Sequence, residues 1–555
     1  MPLPENRECD VLIVGAGPTG LVLAYELARR GVHFRLIDKN EGPAEQSRAL
    51  LIQVRSLETF AFMGLIDEFL QKGLHVDQLR LVVNQKPVFQ NRFQALDSPY
   101  PFPLVLPQND TEAILLSALA QKGIHVERRT ELKSFESKND FVKVLLQKDD
   151  GEEESFDCSY LVGCDGAHSA VRHGLDLPFK GAPYPEGFIL ADVDLESSLN
   201  PKDIYLFWHD QGFLAVLPMR DKWVRLISMR APGTDAFKKV SIEEFQSNID
   251  RAIPGSGKIL KAYWLENFHL HHRGVPRYQV DHVFLAGDAA HIHSPAGGQG
   301  MNTGIQDAFN LAWKLSLKIQ NPGFENVLES YSPERHPVGE RVLKTTDRFF
   351  RMVVTAGFSG KLVRNYLLPF AAKFIFPHLT GTLTRFVSQL QVNYRGSACV
   401  SEGPAQHWPA SSPKPGERAP DGPLKDCNNG KALTLYEIFR EMNFLLLVFG
   451  NAQSIQTAKL RLSENLNLSS QTLWKTVFIC RDYSELGNTE AYTFQDMNGI
   501  LAKKYGIQDG IYLIRPDRYI AYRQQGFNFK DFQRYLLRIS SDESFTKTKI
   551  PNPLN

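Results

Sequence analysis

The sequence predicts an α/β protein of more than one domain, and three observations carry that prediction. Residues 10–38 read as a compact β–α–β unit. Residues 204–229, IYLFWHD, FLAVLPM and WVRLISM with short polar breaks, read as an antiparallel three-strand meander. The stretch EGPAQHWPASSPKPGERAPDGPL then separates a long helical region from further strand-rich text. At 555 residues the chain exceeds one ordinary core, so two to four domains are expected.

Taken in order, DVLIVGAG is an apolar strand that runs into glycines. Pro18 to Gly31 is a helix with Leu21, Ala24, Tyr25 and Ala28 on one face, and Gly31 is its natural stop. HFRLID is a second strand ending at Asp38. Ser56 to Leu70 reads as one helix, Leu79 to Phe89 and Phe93 as strands, and Thr111 to Gly123 as a helix capped by Asn109 or Asp110. Val126 to Leu161 alternates like a strand meander turning at KDDGE. Val283 to Leu285 opens a short buried strand, and helical text resumes between Thr303 and Gln306 and runs, with breaks, to about Gln391. NFLLLVFG, KTVFICRD and GIYLIRPDRYIAYR are strands of a small C-terminal α/β unit at about 425–540.

Composition excludes several classes. Hydrophobic residues make up 43% and charged residues 23%, as in ordinary globular protein. With 63 basic against 62 acidic residues the net charge is +1, which gives no support for nucleic-acid binding. MPLPENRECD has no apolar leader core. The most apolar helical stretch, Tyr366 to Leu383, is interrupted by Pro369, Lys373, Pro377 and His378, so no transmembrane segment is expected. The six cysteines form no CxxC pair, which points to a reducing, cytoplasmic setting and against structural zinc.

Three segments carry chemistry. Gly15-Ala16-Gly17-Pro18-Thr19-Gly20 is a GxGxxG directly after a strand. Gly15 permits the tight turn, Gly17 lets backbone approach a pyrophosphate, and Gly20 allows close helix–strand packing. Asp38 ends the next strand, where a carboxylate binds a ribose hydroxyl and repels a 2′-phosphate; the site therefore takes FAD or NAD. The second segment, Gly163-Cys164-Asp165-Gly166, ends another strand and leads to the basic Arg172. The third, LAGDAAHIHSPAGGQGMNTGIQDAFNLAWKL at 285–315, places an acidic turn and a glycine-rich loop before a helix, an arrangement suited to an anionic or electron-rich cofactor. His291 and His293 read as structural, since no cysteine or carboxylate cluster completes a metal site. Arg172, His271, His272 and Arg273 read either as solvated charge or as attraction for a nicotinamide nucleotide.

In this order the three segments resemble the single-component FAD-dependent aromatic hydroxylases of the para-hydroxybenzoate hydroxylase class, and within it the phenol-hydroxylase-like and polyketide-hydroxylase-like members. FHLHHRGVPRYQVDHVFLAGD, PGERAPD and IRPDRYIAYR also fit, so the resemblance covers nearly the whole chain. It implies a Rossmann-like FAD-binding domain (1–75, 105–180 and 271–395), an inserted antiparallel-sheet substrate domain (76–104 and 181–270), a linker (396–424) and a C-terminal thioredoxin-like α/β domain (425–555). It further implies that Gly15, Gly17, Pro18, Thr19 and Gly20 lie against the FAD pyrophosphate and that Asp38 and Lys39 face the adenosine side. Arg48 lies near the phosphates and Gln108 near the ribityl chain. Asp165 supports FAD and nicotinamide-nucleotide interaction. Gly287 and Asp288 bind the ribityl–phosphate region. Pro295, Gly298, Gly300, Met301 and Asn302 lie by the isoalloxazine ring, with backbone N–H groups of the last three at the helix start. Only one dinucleotide fingerprint is present, so NAD(P)H is expected to bind transiently as the reductant.

The activity so implied is monooxygenation. NAD(P)H reduces FAD, O2 adds to give a C4a-hydroperoxide, and an OH equivalent passes to a phenolic or polyketide-like ring, with water excluded. Epoxidation or Baeyer–Villiger insertion by the same flavin, or oxidase and dehydrogenase chemistry without oxygen insertion, are the alternatives. Substrate-pocket candidates are Trp208, His209, Phe213, Leu217, Arg220, Met229 and Pro295, with His209 and Arg220 as the polar members able to help ionise a phenol. The C-terminal unit lacks CxxC, so its expected role is structural, including contacts in a homodimer.

Overall fold

The structure, a computed structural model, describes residues 7–43, 49–93, 96–209, 212–220, 223–230, 239–294, 297–354, 376–404, 407–440, 443–465, 473–482 and 492–540. Nine helices matter below: α1 (Pro18–Arg29), α2 (Val54–Met63), α3 (Ile66–Lys72), α4 (Gln108–Ala120), α5 (Ala170–Gly174), α6 (Ile242–Ala252), α7 (Gln299–Gln320), α8 (Glu325–Glu329) and α9 (Tyr331–Val354).

Among the described residues the strands form three large sheets and one small one. The core of the first sheet is parallel, in the order Val283–Leu285, Glu153–Gly163, Arg7–Val14, Phe34–Asp38 and Glu127–Arg128. Three of these strands end in apolar runs buried on both faces, Val11–Val14, Cys158–Gly163 and Val283–Leu285, as helix-covered parallel strands must be. Val14 pairs with both Gly163 and Ile37, and Gly163 pairs with Leu285. One register therefore ends all four strands at the same edge. The turns after Val14, Ile37, Gly163 and Leu285, far apart in sequence, emerge side by side.

Helix α1 starts at Gly17 with Pro18 in its first turn, where a missing N–H costs nothing. It packs against α7, and the contact depends on Gly304, where a Cβ would lie 2.3 Å from Thr19 Oγ1; Gly20 instead lets α1 close on its own turn, since a Cβ there would lie 1.9 Å from the Gly15 carbonyl oxygen. Helix α7 is buried almost all round, which marks a central helix rather than a surface one.

The second large sheet runs His291–Ile292, Gly257–Gly274, Lys180–Ser197, Trp223–Met229, Gly212–Pro218, Asp203–His209, Gln78–Val83 and Lys86–Arg92. It is antiparallel except where Asp203–His209 lies parallel to Gln78–Val83. Strand alternation sorts its residues. Tyr205, Phe207, Leu214, Val216 and Leu226 pack on Phe245 and Ile249 of α6. The opposite face packs Ile204, Ala215 and Leu217 on Leu50 and Val105, which border the small sheet of the cofactor-side unit. Sheet two is also joined directly to the third motif, since Arg273 and Gly274 pair with Ile292 and His291.

The third sheet is mixed, in the order Ser401–Glu402, Ile520–Gln525, Gly510–Ile514, Phe444–Gly450, Trp474–Cys480, Thr493–Asp496, Pro423–Asp426 and Ala432–Thr434. All six cysteines are free thiols.

Several sequence expectations change. The helix read at 56–70 is two helices, because Gly64 turns left-handed at φ 81° and ends α2. α4 begins at Gln108 after Pro107, without a side-chain cap from Asn109 or Asp110. α7 begins at Gln299, several residues before the apolar periodicity starts, because Gly298 at φ 62° ends the loop and the first turn is polar. The stretch 396–424, read as a linker, is built into the third sheet instead: Ser401–Glu402 is its edge strand, and Gly416 N–H donates to the Ile520 carbonyl. Its Pro and Gly content conceals that pairing. The apolar stretch at 366–383 lies outside the described residues up to 375; among the described residues no helix is long and apolar enough to cross a membrane.

Candidate functional site

The shared register sets the site. At one sheet edge lie the Gly15–Gly20 turn, Asp38, the Cys164–Asp165 turn and the Gly287–Asp288 turn, which is where open parallel sheets take ligands.

The glycines divide into two kinds. A Cβ on Gly15 would lie 2.4 Å from the Cys164 carbonyl oxygen, so Gly15 and Gly20 are required by the protein's own packing. A Cβ on Gly17 or Gly300 would meet nothing within 4 Å, so these positions leave room for a ligand. Gly17 is the N-cap of α1, and no side chain caps the helix, so the backbone N–H groups of its first turn point into the crevice. That is a fitting cradle for a pyrophosphate. Asp38 accepts hydrogen bonds from Ala16 N–H (2.8 Å) and Asn40 N–H (2.8 Å), which fixes its carboxylate beside the glycine turn. Lys39 is exposed at the same corner.

Asp165 accepts from Val171 N–H at 3.2 Å, while its Oδ1 is buried with no protein partner. Burial raises its carboxyl above the usual range. A buried acceptor with nothing donating to it fits a ligand donor at this point. Asp288 is exposed at the strand end, in a one-turn 3₁₀ helix from Gly287 to Ala289. Gly287 has φ 61°, and a Cβ there would lie 2.6 Å from Thr19 Oγ1, which brings the α1 turn and the acidic turn together.

The start of α7 completes the crevice. Gly298 is its N-cap, with no side-chain cap and no acidic residue in the first turn. The N–H groups left open are those of Gly298, Gln299, Gly300 and Met301, so Asn302 already lies inside the helical ladder. Its part is different from the one expected: its buried amide donates to the Leu51 and Gly298 carbonyls (2.8 and 2.7 Å) and accepts from Gln53 N–H (2.8 Å). Asn302 thus ties strand Leu51–Ile52 to the glycine loop. Gln108 stands at the start of α4, where its Nε2 donates to Glu112 at 2.8 Å. Arg48 and Pro295 lie outside the described residues.

The substrate-side candidates separate by face. Trp208, Phe213, Leu217 and Met229 fall on the face of the middle sheet away from α6, with Phe188 6.0 Å from Phe213. His209 falls by alternation on the other face. Arg220 is exposed and donates through Nε and Nη2 to the Lys72 carbonyl (3.1 and 2.5 Å), so it braces α3 instead of entering the pocket. Arg172 is no exposed lure for a nucleotide. It is buried, stacks on Phe179 at 4.0 Å, and joins the second and third motifs by donating to the Ala167 and Ala289 carbonyls (2.9 and 3.1 Å).

Sequence reasoning missed the buried residues behind the crevice. Asp307 accepts from Gly287 N–H (3.1 Å) and pairs with His291 Nε2 and Arg335 Nε (2.7 Å each). In the middle sheet Arg225 forks onto Asp192 (2.8 and 2.7 Å) against Trp264. Only the spacing of Asp307 to the glycine loop hinted at the first, and nothing local marks the second. Among the described residues no cluster of His, Cys, Asp and Glu could hold a metal ion.

Residues 8–346 match the family described as "FAD binding domain", more than half of the chain. The chain belongs to the FAD-dependent aromatic monooxygenases. It is 37% identical over 347 residues to the 6-methylpretetramide 4-monooxygenase of Streptomyces rimosus, a match that spans 62% of each chain. It is 29% identical over 528 residues to the pentachlorophenol 4-monooxygenase of Sphingobium chlorophenolicum, covering 93% of this chain and 94% of that one. Its fold is that of aklavinone-11 hydroxylase, solved in a ternary complex with FAD and aklavinone: TM-score 0.75, 24% identity, 97% of this chain and 100% of that one. FAD is therefore the cofactor of this chain.

Proposed function

We propose that this protein is an NAD(P)H- and O2-dependent hydroxylase of a phenolic or polyketide-like ring, working in the cytoplasm. One observation supports this most: the middle sheet, which carries Phe188, Phe213, Leu217 and Met229 on one face, pairs directly with the strand that follows the Gly287–Ala289 turn, through Arg273–Ile292 and Gly274–His291. The names of the relatives, which act on a pretetramide and on pentachlorophenol, favour the same substrate class.

When bound, FAD would supply the redox chemistry, with hydride from the nicotinamide and O2 as co-reactants, one oxygen atom going to the ring and the other to water. The chain supplies everything else. The first turns of α1 and α7 hold negative charge with backbone N–H groups and helix dipoles. Asp38 selects a free ribose hydroxyl, and Asp165 and Asp288 offer acceptors to the rest of the cofactor. The aromatic face keeps water from the reacting centre. We assign residues 1–75, 105–180 and 271–395 to the FAD domain and 76–104 with 181–270 to the substrate domain. The C-terminal unit has three parallel-paired central strands and an antiparallel hairpin, which supports reading it as a thioredoxin-like domain without the CxxC cysteines.

The test is oxidation of NADH and NADPH by the FAD-loaded protein across phenols and anthraquinones under ¹⁸O₂. Substrate-stimulated oxidation with ¹⁸O in the product is expected. Stimulated oxidation that yields only hydrogen peroxide, on every ring tried, would replace hydroxylation with an oxidase reading.

A further inference from the structure

Helix α7 belongs to two parts of the molecule. Its first turn starts at the FAD crevice, whereas Trp313 and Leu317, further along, lie in the apolar core of the C-terminal unit with Phe444, Leu446 and Leu513. Trp313 meets Phe444 edge-on at 5.6 Å. Between these ends α7 presents Asp307, Asn310 and Lys314 on one face, at helical spacing, and all three are buried.

Their partners come from α9 and from the turn Arg515–Arg518, which joins strands Gly510–Ile514 and Ile520–Gln525. Arg515 forks onto Glu334 through two bonds of 2.7 Å and onto Asp517 at 2.9 and 2.6 Å. Lys314 Nζ donates to Glu334 at 2.7 Å. Asn310 Nδ2 donates to both Glu334 (2.9 Å) and Asp517 (3.0 Å). From α2, Arg55 Nη2 donates to the Asp517 carbonyl at 2.8 Å. Two cations thus meet two anions, each side chain at most 2% exposed. Burial alone would raise the Glu334 carboxyl; Arg515 and Lys314 overcome this and hold it well below the usual range. Beside it, Arg335 donates to the Thr303 carbonyl (3.2 Å) and to Asp307, which holds Gly287 N–H and His291. Arg335 also donates to the Tyr394 hydroxyl at 3.0 Å, and the Arg515 guanidinium lies 5.0 Å from the Tyr394 ring centre, so buried contacts link the turn next to Asp288 to the C-terminal hairpin.

Apolar contacts are non-directional and let a helix slide or rotate slightly; a bidentate fork fixes both. We propose that the Arg515–Arg518 turn of the C-terminal unit is a positioning element of the FAD site, setting the rotation and rise of α7 and so the place of its first turn and of the Gly287–Asp288 turn. Arg515 and Asp517 act through α7 and α9 and do not touch the cofactor. The proposal rests on FAD lying against the start of α7.

The experiment uses the full chain, with apo-protein titrated with FAD and the visible circular dichroism of the bound flavin recorded. Arg515→Met is expected to weaken FAD binding by about tenfold and to alter the flavin dichroism. Arg515→Lys, which keeps the charge and loses the fork, is expected to recover part of both. Asn310→Leu breaks the α7–Asp517 link without stranding a charge, and is expected to give the same dichroic change with about a threefold loss. It stands in if Arg515→Met does not fold. Phe532→Ala, in the C-terminal core away from these contacts, is expected to lower the melting temperature yet leave FAD affinity within about twofold. Arg515 or Asn310 variants that fold, bind FAD within about twofold of the parent and show its dichroism would overturn the positioning role. Asp288→Ala separates the two levels: if it too leaves binding unchanged, the site assignment itself fails, and if it alone weakens binding, only the positioning proposal does.

Discussion

Two polar regions lie along helix α7, and they are built on opposite rules. At its start the crevice is made of backbone: Gly17 and Gly300 have open space where a Cβ would stand, helix N–H groups lack caps, and Asp165 Oδ1 has no protein donor. A few turns on, around Glu334 and Arg515, the region is made of charged side chains joined to one another by short bonds. The first is left open because a ligand completes it. The second is closed because no ligand comes, and a buried charge without a partner is intolerable.

The comparison breaks most visibly in the closed region. Glu334→Ala leaves Arg515 with Asp517 alone and takes from buried Lys314 its carboxylate, and is expected to cost about 3–5 kcal/mol of stability. Urea unfolding measures it, and a loss under about 1 kcal/mol would show that water already reaches these groups. Asp421 tests a place where closure is incomplete. Burial raises its carboxyl from 3.8 to about 6, despite hydrogen bonds from Tyr436 and Gly422 N–H. The folded state therefore favours its protonated form. That contribution is complete below about pH 4 and is lost as pH rises through about 6. Asp421→Asn mimics the protonated form, so the variant should exceed the parent in stability by about 3 kcal/mol at pH 7.5 and come close to it at pH 4. A pH-independent difference would refute this sign. The smallest effect sharpens the open region. Gly17→Ala adds a methyl group where nothing stands, and the poorer alanine cap is offset by the lower entropy of the unfolded chain, so apo stability should shift by less than about 1 kcal/mol. FAD affinity should nevertheless fall about tenfold, because the methyl meets the cofactor instead of the protein. Equal FAD affinity would mean that Gly17 does not face the cofactor.

The open region was largely legible in the sequence and the closed one was not. Glycines, an acid at a strand end and a polar helix start are local signals, and GAGPTG, CDG and GDAAH carry them on consecutive residues. Parallel strands are equally local, because burial on both faces makes them continuous apolar runs. The sequence marks Asn302 as part of the glycine loop, but not its partners at Leu51 and Gln53, which are some 250 residues away. The Glu334–Arg515 fork joins residues 181 apart, and Arg225–Asp192 joins neighbouring strands, so no window of sequence holds either pair. Arg220 looked like a pocket residue because alternation says which face a side chain takes, not what covers that face; it was drawn off by the Lys72 carbonyl. Pro- and Gly-rich text at 402–424 suggested a free connector, yet those residue types also suit edge strands and tight docking turns.

The long insertion between Gly163 and Val283 has a consequence of its own. Those two residues end and begin strands that lie side by side, with Leu161 paired to Val283. Most of the middle sheet thus leaves and returns through adjacent lanes of the first sheet. Strands can be lengthened, loops exchanged or the aromatic lining redrawn while the four turns of the FAD edge stay in line. Diversification of substrate is therefore cheap in this architecture, and a designer seeking a new ring to oxidise should graft within 180–274 and leave both of its anchors untouched.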